Sequence, residues 1–322
     1  MPPRRTLKNK GGGPKRHTKR IKQLNCNPSV KNTPVSKSCM TKEALLLLRD
    51  EYNKDHTSNP IIAEKPVLIW YELKMRLQCE DERCWLGEID DKSKRSMIEN
   101  ALFAPDHPPE WVKNPVEWLS NYDIDKVMAQ YEQKYGDFKY LGTTTIDYDY
   151  IVDKSRGTCV EDKLCKFDLE SSIKRGKQRF GAVFNLDKHD QPGSHWVSLF
   201  ICVPKKTIVF FDSANGGVPD EIQKFVEHVQ KQNGSYQFIT SNKEHQKKNT
   251  ECGMYSIHFI IEMLNDYEKM LNMVLRGNIP DSKMVKYRKK YFNRPKTHVV
   301  IPPKTHVVIP PKTRRVGLHK TH

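Results

Sequence analysis

Hydrophobic and polar positions divide the chain into a central part with regular apolar runs and two ends that lack them. Apolar runs bounded by turn residues predict four strands, at Phe180–Leu186, His195–Val203, Thr207–Phe211 and Tyr236–Thr240. An apolar stripe at helical spacing predicts a helix over Pro219–Gln232. A second, more uniformly apolar helix is predicted over Met254–Leu264. This alternation indicates a sheet covered by helices.

Helical patterns also mark residues 39–110, which precede the strands. Thr41 is a suitable N-cap for a helix over Lys42–Tyr52, and apolar positions predict further helices over Val67–Leu77 and Lys94–Phe103. A proline-rich break then separates this region from the strands. We therefore predict an α+β fold, with a mixed, largely antiparallel central sheet flanked by helices and preceded by an N-terminal helical arm.

Charge is concentrated at the two ends of the chain. Residues 1–42 contain twelve Lys or Arg, residues 294–322 contain seven, and neither range contains an acid. The net charge is +16, so the part between them carries about −3. Both ends are too polar to pack, which predicts disordered basic tails over 1–38 and 294–322, the second with a repeated octapeptide. Such tails favour nucleic acid or an acidic partner, or they are solvated extensions.

Composition excludes several classes of protein. With 29% charged residues and no apolar run near the ~18 residues that a bilayer requires, no membrane span is predicted. No secretory signal is predicted either. The eight cysteines show no regular disulfide framework, which favours a reducing compartment. The pairs Cys79/Cys84 and Cys159/Cys165 lack the usual zinc spacing, so neither a metal nor another cofactor is predicted.

Candidate chemistry lies between His195 and Cys252. A cysteine nucleophile needs a base, the base needs an orienting acid, and the oxyanion needs a donor. His195 opens one predicted strand and Asp212 ends the next, and antiparallel neighbours lie about 5 Å apart. Cys252 heads a predicted helix whose dipole favours a thiolate, and Gln246 in the preceding loop can donate to the oxyanion. Singly, each residue suits a core equally well, but their order indicates catalysis.

The ordered set His195-Trp196, Asp212, Gln246 and Cys252-Gly253 resembles the clan of SUMO-specific and adenovirus-type cysteine proteases. Further similarity is to polyprotein-processing proteases of the African swine fever virus type, from large nucleocytoplasmic DNA viruses. It rests on the segments Glu117–Ile124, Phe210–Gly216 and Met284–Phe292. The resemblance implies that His195 is the base, Asp212 the orienting acid, Gln246 the oxyanion donor and Cys252 the nucleophile. The swine fever type has Asn where this chain has Asp212.

The resemblance implies a viral thiol protease that processes structural polyproteins in the host cytoplasm and the virion. We expect cleavage after Gly-Gly, because a narrow channel lined by Trp118 and Trp196 would pass only glycine, while Gly253 allows close approach of the substrate backbone. Removal of ubiquitin or SUMO remains an alternative within the same chemistry, as does acyl transfer. A non-catalytic packaging protein that binds nucleic acid is the alternative of another class. The implied domains are the arm at 39–110 and the protease at 111–293.

Overall fold

The computed structural model describes residues 21–234 and 236–295 of the chain. Most of both predicted disordered tails, residues 1–20 and 296–322, lies outside the described residues. Residues 21–38 were predicted to be disordered, but in the structure they have an irregular, defined conformation. A disulfide between Cys26 and Cys39 holds this segment. This covalent link orders a segment whose polar composition alone would leave it disordered.

The described residues form two compact units. The first comprises residues up to Cys26 with Val30–Leu102, and the second comprises Asn27–Ser29 with residues from Phe103 onward. The first unit contains α1 (Lys42–Asp55), α2 (Pro66–Leu77), a 3₁₀ turn (Glu82–Glu88) and α3 (Lys92–Leu102). The three predicted helices are confirmed, with the Thr41 hydroxyl accepting from the Ala44 N–H at 3.2 Å. At their centre the buried Glu82 carboxylate accepts from the Trp70 indole at 2.6 Å.

The second unit contains the sheet and the remaining helices. Before the predicted strands it has a 3₁₀ turn (Pro109–Val112), α4 (Asn121–Lys134), β1 (Phe138–Thr145), β2 (Ile151–Asp153), β3 (Thr158–Cys159), α5 (Asp162–Cys165) and α6 (Leu169–Lys174). Then follow β4 (Arg179–Asn185), β5 (Trp196–Cys202), β6 (Thr207–Phe211), α7 (Asp220–Gln232), β7 (Gln237–Thr240), α8 (Cys252–Asn265), α9 (Tyr267–Arg276) and α10 (Asp281–Tyr291). Across both described ranges, no helix is long and apolar enough to cross a membrane.

The main sheet of the second unit has the strand order β1-β4-β5-β6-β7. The central pairs β4–β5 and β5–β6 are antiparallel, whereas the outer pairs β1–β4 and β6–β7 are parallel. The predicted mixed sheet is therefore confirmed, but its description as largely antiparallel is wrong. A loop over 186–195 joins β4 to β5, and a short turn over 203–206 joins β5 to β6. The outer strands are reached by crossovers through α5–α6 and α7, which give parallel pairing.

Both faces of the sheet are buried, and β5 shows why its sequence is apolar at almost every position. Trp196 and Phe200 belong to the core on the side of α8, whereas Leu199 and Ile201 belong to the opposite core, against α7. A strand that is covered on both faces needs apolar side chains in both directions. The sheet is thus a rigid layer, and the ends of its central strands are fixed positions for functional side chains.

The prediction that the cysteines are reduced is wrong for six of them, which form three disulfides. They join Cys26 to Cys39, Cys79 to Cys84 and Cys159 to Cys165. Each pair is separated by only 5 to 13 residues, a local pairing that the irregular overall spacing concealed. The described residues contain no group of three or more His, Cys, Asp or Glu that could hold a metal ion. The free cysteines of these residues, Cys202 and Cys252, are both buried.

Acid should destabilise the second unit through His258, a buried residue of α8. Burial, with Lys283 and Lys290 nearby, lowers the pKa of His258 to about 3. Below pH ~6.5 the unfolded state binds a proton there that the folded state does not, so unfolding becomes easier by about 1.4 kcal/mol per pH unit. We expect His258→Phe to remove this slope in urea unfolding measured from about pH 5 to about pH 7. Equal slopes in both proteins would contradict the assignment.

Candidate active site

His195 and Asp212 lie side by side at one edge of the sheet. Pairing of Ser198 with Phe211 aligns β5 and β6, so that the start of one strand lies beside the end of the other. His195 directly precedes β5 and Asp212 directly follows β6. The imidazole Nε2 and the carboxylate Oδ1 are 2.7 Å apart. The predicted meeting of these side chains is therefore present in the structure.

Asp212 is held as an anion by the turn that follows it. Its Oδ1 accepts from the Ala214 N–H at 2.9 Å and its Oδ2 from the Gly216 N–H at 2.6 Å. Burial alone would raise the pKa of this carboxyl, but the bonds from His195 and these two amides keep it below the usual value. A Cβ on Gly216 would lie 3.1 Å from Oδ2, so a larger residue there would press on the carboxylate. The two backbone amides thus fix the position of the Asp212 carboxylate and favour its ionised form, in addition to the bond with His195.

Cys252 begins α8 and is 2% exposed. Its thiol acts on the His195 imidazole closely enough to affect the pKa of that ring, and because Asp212 binds Nε2, the ring nitrogen that remains for the sulfur is Nδ1. Burial opposes protonation of the imidazole, but the interactions with Asp212 and Cys252 outweigh it and raise the pKa of His195 to about 9. Carboxylate, imidazole and thiol thus lie in one row.

Gln246 lies on the other side of the Asp212 turn. Its backbone N–H donates to the Ser213 carbonyl at 2.8 Å, and its side-chain Oε1 accepts from the Ser213 hydroxyl at 2.7 Å. The bond to Oε1 fixes the orientation of the side-chain amide. Its Nε2 donates one hydrogen to the Lys248 carbonyl, which leaves the second hydrogen for another acceptor. None of the hydrogen bonds among described residues joins Gln246 to Cys252 directly. Sequence reasoning missed Ser213, whose place directly after Asp212 was the available signal.

The residues predicted to bind substrate fall into two groups. Trp196 is buried, and its indole N–H donates to the Leu119 carbonyl at 3.1 Å. Gly253 lies against this pair, since a Cβ there would be 3.2 Å from Leu119 and 3.3 Å from Trp196. The absence of a side chain at Gly253 thus allows Leu119 and Trp196 to pack against it. The sequence had predicted a different reason for glycine here, namely close approach of the substrate backbone. Trp118, by contrast, is 39% exposed and is available to a ligand.

A buried ion pair next to Cys252 was also missed. Arg288 on α10 donates through Nε to Glu251 Oε2 at 2.8 Å, and the two side chains are only 4% and 1% exposed. Met284, Arg288 and Tyr291 share the buried side of α10, at helical spacing. A charged residue within that apolar stripe was the signal that could have revealed the pair.

Comparison with known proteins identifies relatives. Residues 182–300 match the Ulp1 protease family, C-terminal catalytic domain. A thiol protease of Acanthamoeba polyphaga mimivirus is 30% identical over 58% of this chain and 59% of that protein. A cysteine protease of African swine fever virus is 25% identical over 74% of this chain and 92% of that protein. The crystal structure of the African swine fever virus protease covers 86% of this chain and 98% of its own, with a TM-score of 0.59 and 21% identity.

The structural match shows a shared fold, and the sequence matches show that the relatives are viral thiol proteases. The matched region begins in β4 and contains His195, Asp212, Gln246 and Cys252. The mixed α+β sheet, the histidine beside the carboxylate and the cysteine at the start of a helix all lie within it. Residues 182–300 are thus similar to the catalytic domain of the Ulp1 protease family, and the sequence relatives of this chain are cysteine-type peptidases.

Proposed function

We propose that this protein is a viral cysteine endopeptidase that processes structural polyproteins during virion maturation and cleaves after Gly-Gly. The observation that carries the proposal is the row of Asp212, His195 and Cys252, with 2.7 Å between carboxylate and imidazole and a thiol that helps to raise the pKa of that imidazole. Its relatives are proteases of large DNA viruses, which supports a viral substrate.

Each residue of this row has a role in peptide hydrolysis. His195 takes the thiol proton, and the sulfur of Cys252 attacks the scissile carbonyl carbon. The Cys252 N–H and the Gln246 amide stabilise the oxyanion. Protonated His195 then gives its proton to the leaving amine, and a thioester remains. Water attacks the thioester carbonyl while His195 accepts a proton from that water. The C–S bond then breaks, the carboxylic acid product leaves, and the sulfur takes the proton back from His195. Asp212 orients the imidazole and stabilises its charged form throughout.

Specificity for Gly-Gly is supported by the crowding around Cys252. Leu119 and Trp196 form a wall directly on Gly253, and Trp118, the residue before Leu119, is 39% exposed. A substrate backbone that approaches the sulfur along this wall has little room for a side chain at the last two positions. Glycine fits such a channel, and we propose that Trp118 and Trp196 line it.

Removal of SUMO or ubiquitin is the second candidate function, favoured by the match to the Ulp1 family. A panel of Gly-Gly-X peptides, tested beside SUMO and ubiquitin conjugates, separates the two, with Ala-Ala-X peptides as matched controls. The proposal predicts cleavage of Gly-Gly-X peptides with kcat/KM in the ordinary protease range, at or above about 10⁴ M⁻¹s⁻¹, and slow turnover of conjugates. Faster turnover of conjugates would favour deconjugation, and equal cleavage of Ala-Ala-X would reject the narrow channel.

The place of action follows from the relatives and from the cysteines. Proteases of large DNA viruses support the host cytoplasm and the virion. Disulfides persist in oxidising surroundings, so the three pairs fit a released virion better than the reducing compartment inferred from the sequence. Cys252 is buried, which limits its own oxidation outside the cell.

The pH profile should report His195. The imidazolium persists up to its pKa of about 9 and is lost above it, so kcat/KM should fall on that alkaline side. Asp212→Asn removes the carboxylate that favours the imidazolium, so the alkaline limb should move to lower pH, with a milder loss of rate than removal of His195. Rates measured from about pH 6 to about pH 10 test this. If the alkaline fall in kcat/KM occurs at the same pH in Asp212→Asn, a group other than His195 causes it.

The basic tails should affect binding to DNA and leave catalysis intact. Because the disulfide between Cys26 and Cys39 holds residues 21–38, the deletion that tests the tails removes residues 1–20 and 296–322. We expect peptide cleavage near the wild-type rate, and a loss of DNA affinity that is large at low salt and small at high salt. Binding at two salt concentrations, beside cleavage, measures both. Unchanged affinity would place the DNA-binding surface elsewhere, and lost cleavage would place the tails in the active site.

A further inference from the structure

Arg288 on α10 makes four hydrogen bonds although its side chain is only 4% exposed. Its Nε donates to Glu251 Oε2 at 2.8 Å, and one terminal nitrogen donates to the Thr250 carbonyl at 2.8 Å. The other terminal nitrogen donates to the Glu117 carbonyl at 2.8 Å. The guanidinium also lies over the Trp111 ring, 4.3 Å from its centroid. One side chain thus joins segments that are far apart in the sequence.

Stability alone does not account for this arrangement. A buried ion pair loses hydration on folding, and apolar side chains of similar size often stabilise a protein as well or better. What an arginine adds is a rigid planar fork of donors, which fixes several acceptors in relative position. The acceptors here are one carboxylate and three backbone carbonyls, of Val116, Glu117 and Thr250. The pair is therefore suited to set positions.

Both segments held by Arg288 lead directly into the proposed active site. Thr250 and Glu251 directly precede Cys252, and Glu251 is the N-cap residue of α8. Val116 and Glu117 directly precede Trp118 and Leu119, the residues that line the proposed channel and pack on Gly253. A movement of one segment relative to the other would change the distance between the sulfur and the channel wall.

The start of α10 holds the same loop from its other end. Asp281 accepts from the backbone N–H groups of Lys247 and Lys248 at 3.2 and 3.1 Å. Its other oxygen accepts from the Tyr255 hydroxyl of α8 at 2.9 Å. Residues 247–251, which connect Gln246 to Cys252, are therefore fixed to one helix at both ends.

We propose that Arg288 is a positioning residue, which holds the turn before Cys252 in register with the Trp118–Leu119 segment. It touches neither the sulfur nor the space for substrate, and it acts through the carbonyls and the carboxylate that it binds. The proposal rests on the proposed function for its effect on catalysis. Its structural part, the coupling of two distant segments by one guanidinium, can be tested without any substrate.

Hydrogen exchange of the backbone tests the coupling. Arg288→Lys keeps the charge but loses the fork, and Lys286→Met on the exposed side of the same helix is the matched control. We expect amides of residues 116–119 and 247–253 to exchange about tenfold faster together in Arg288→Lys, and to be unchanged in Lys286→Met. Faster exchange in only one segment, or an equal increase throughout the second unit, would overturn the proposal.

Kinetics of a double variant separate positioning from support of the fold. Arg288→Met alone leaves Glu251 buried without its charged partner, and we expect this variant to be strongly destabilised for that reason. Glu251→Gln/Arg288→Met removes both charges, so we expect its melting temperature to recover toward that of wild type. Peptide cleavage should remain about 10²-fold slower, with the loss in kcat, because a small misplacement of reacting groups has such an effect. Recovery of kcat together with stability would show that Arg288 only supports the fold.

The two tests distinguish failure of this proposal from failure of the proposed function. If the wild-type protein cleaves none of the peptides but both segments exchange faster in Arg288→Lys, the coupling stands and the assigned substrate is wrong. If cleavage is established and the segments do not respond, the protease stands and Arg288 is not its positioning residue.

Discussion

Replacing Cys252 or His195 by alanine is expected to lower kcat/KM for peptide cleavage by about 10³-fold or more, without loss of the fold. The members of such a row act as a unit, so removing either one forfeits nearly all the catalysis that they provide together. The Cys252 thiol and the Asp212 carboxylate both act on the His195 imidazole and together help to raise its pKa. Steady-state cleavage of a Gly-Gly-X peptide, beside thermal unfolding, measures both parts of the expectation.

Cys202 offers a matched control for this experiment. It is the other free cysteine of the described residues, it is buried like Cys252, and it lies at the far end of β5 from His195. Burial raises the pKa of the Cys202 thiol, which keeps it protonated and inert. Cys202→Ala should therefore leave kcat/KM unchanged. Activity of Cys252→Ala equal to wild type would end the protease proposal, and loss in both variants would indicate a packing effect.

The part of the site that was predictable depends on short-range pattern. Buried runs at β5 and β6 are separated by a tight turn, so their antiparallel pairing, and with it the meeting of His195 and Asp212, follows from the sequence alone. The helix that begins at Cys252 is equally evident from its uninterrupted apolar run. These elements need only local turns and one register to place three side chains together.

Features that depend on distant pairing were not predictable in the same way. Phe138–Thr145 has three threonines and a glycine among its eight residues, and its pairing with β4 is parallel, across a long crossover. No local sequence pattern predicts that β1 pairs with β4. The Arg288–Glu251 pair is separated by 37 positions, and each residue alone is an ordinary surface type. The apolar stripe of α10 indicates that Arg288 is buried, but only the folded structure shows that Glu251 is its partner.

The disulfides failed prediction for a related reason. Spacing alone does not decide whether two cysteines bind metal, pair or stay free, because the decision depends on the distance between their Cα atoms. In the structure that distance is 5.2 Å for Cys26 and Cys39, which is within the range for a disulfide. The order of residues 21–38 follows from this link, so one unpredictable contact also changed the expected extent of the N-terminal tail.

Gln246→Ala is expected to lower kcat for peptide cleavage by about 10²–10³-fold while KM changes little, as found for the loss of one oxyanion donor. The Ser213 hydroxyl binds Oε1 and so turns the amide nitrogen outward, where one hydrogen is used by the Lys248 carbonyl and the other is available. An oxyanion forms only in the transition state, so the loss of its donor appears in kcat. Steady-state cleavage of a Gly-Gly-X peptide by wild type and variant measures both constants.

Ser213→Ala is the variant that tests this interpretation of Gln246. It removes the bond that orients the amide but keeps the amide itself, so it should lower kcat by a smaller factor than Gln246→Ala. If the two variants lose the same activity, Gln246 acts by holding its loop to the Asp212 turn rather than by donating to the oxyanion. If Gln246→Ala raises KM and leaves kcat unchanged, Gln246 contacts the substrate in its ground state. Only a loss confined to kcat, larger in Gln246→Ala than in Ser213→Ala, fits a donor that acts on the oxyanion.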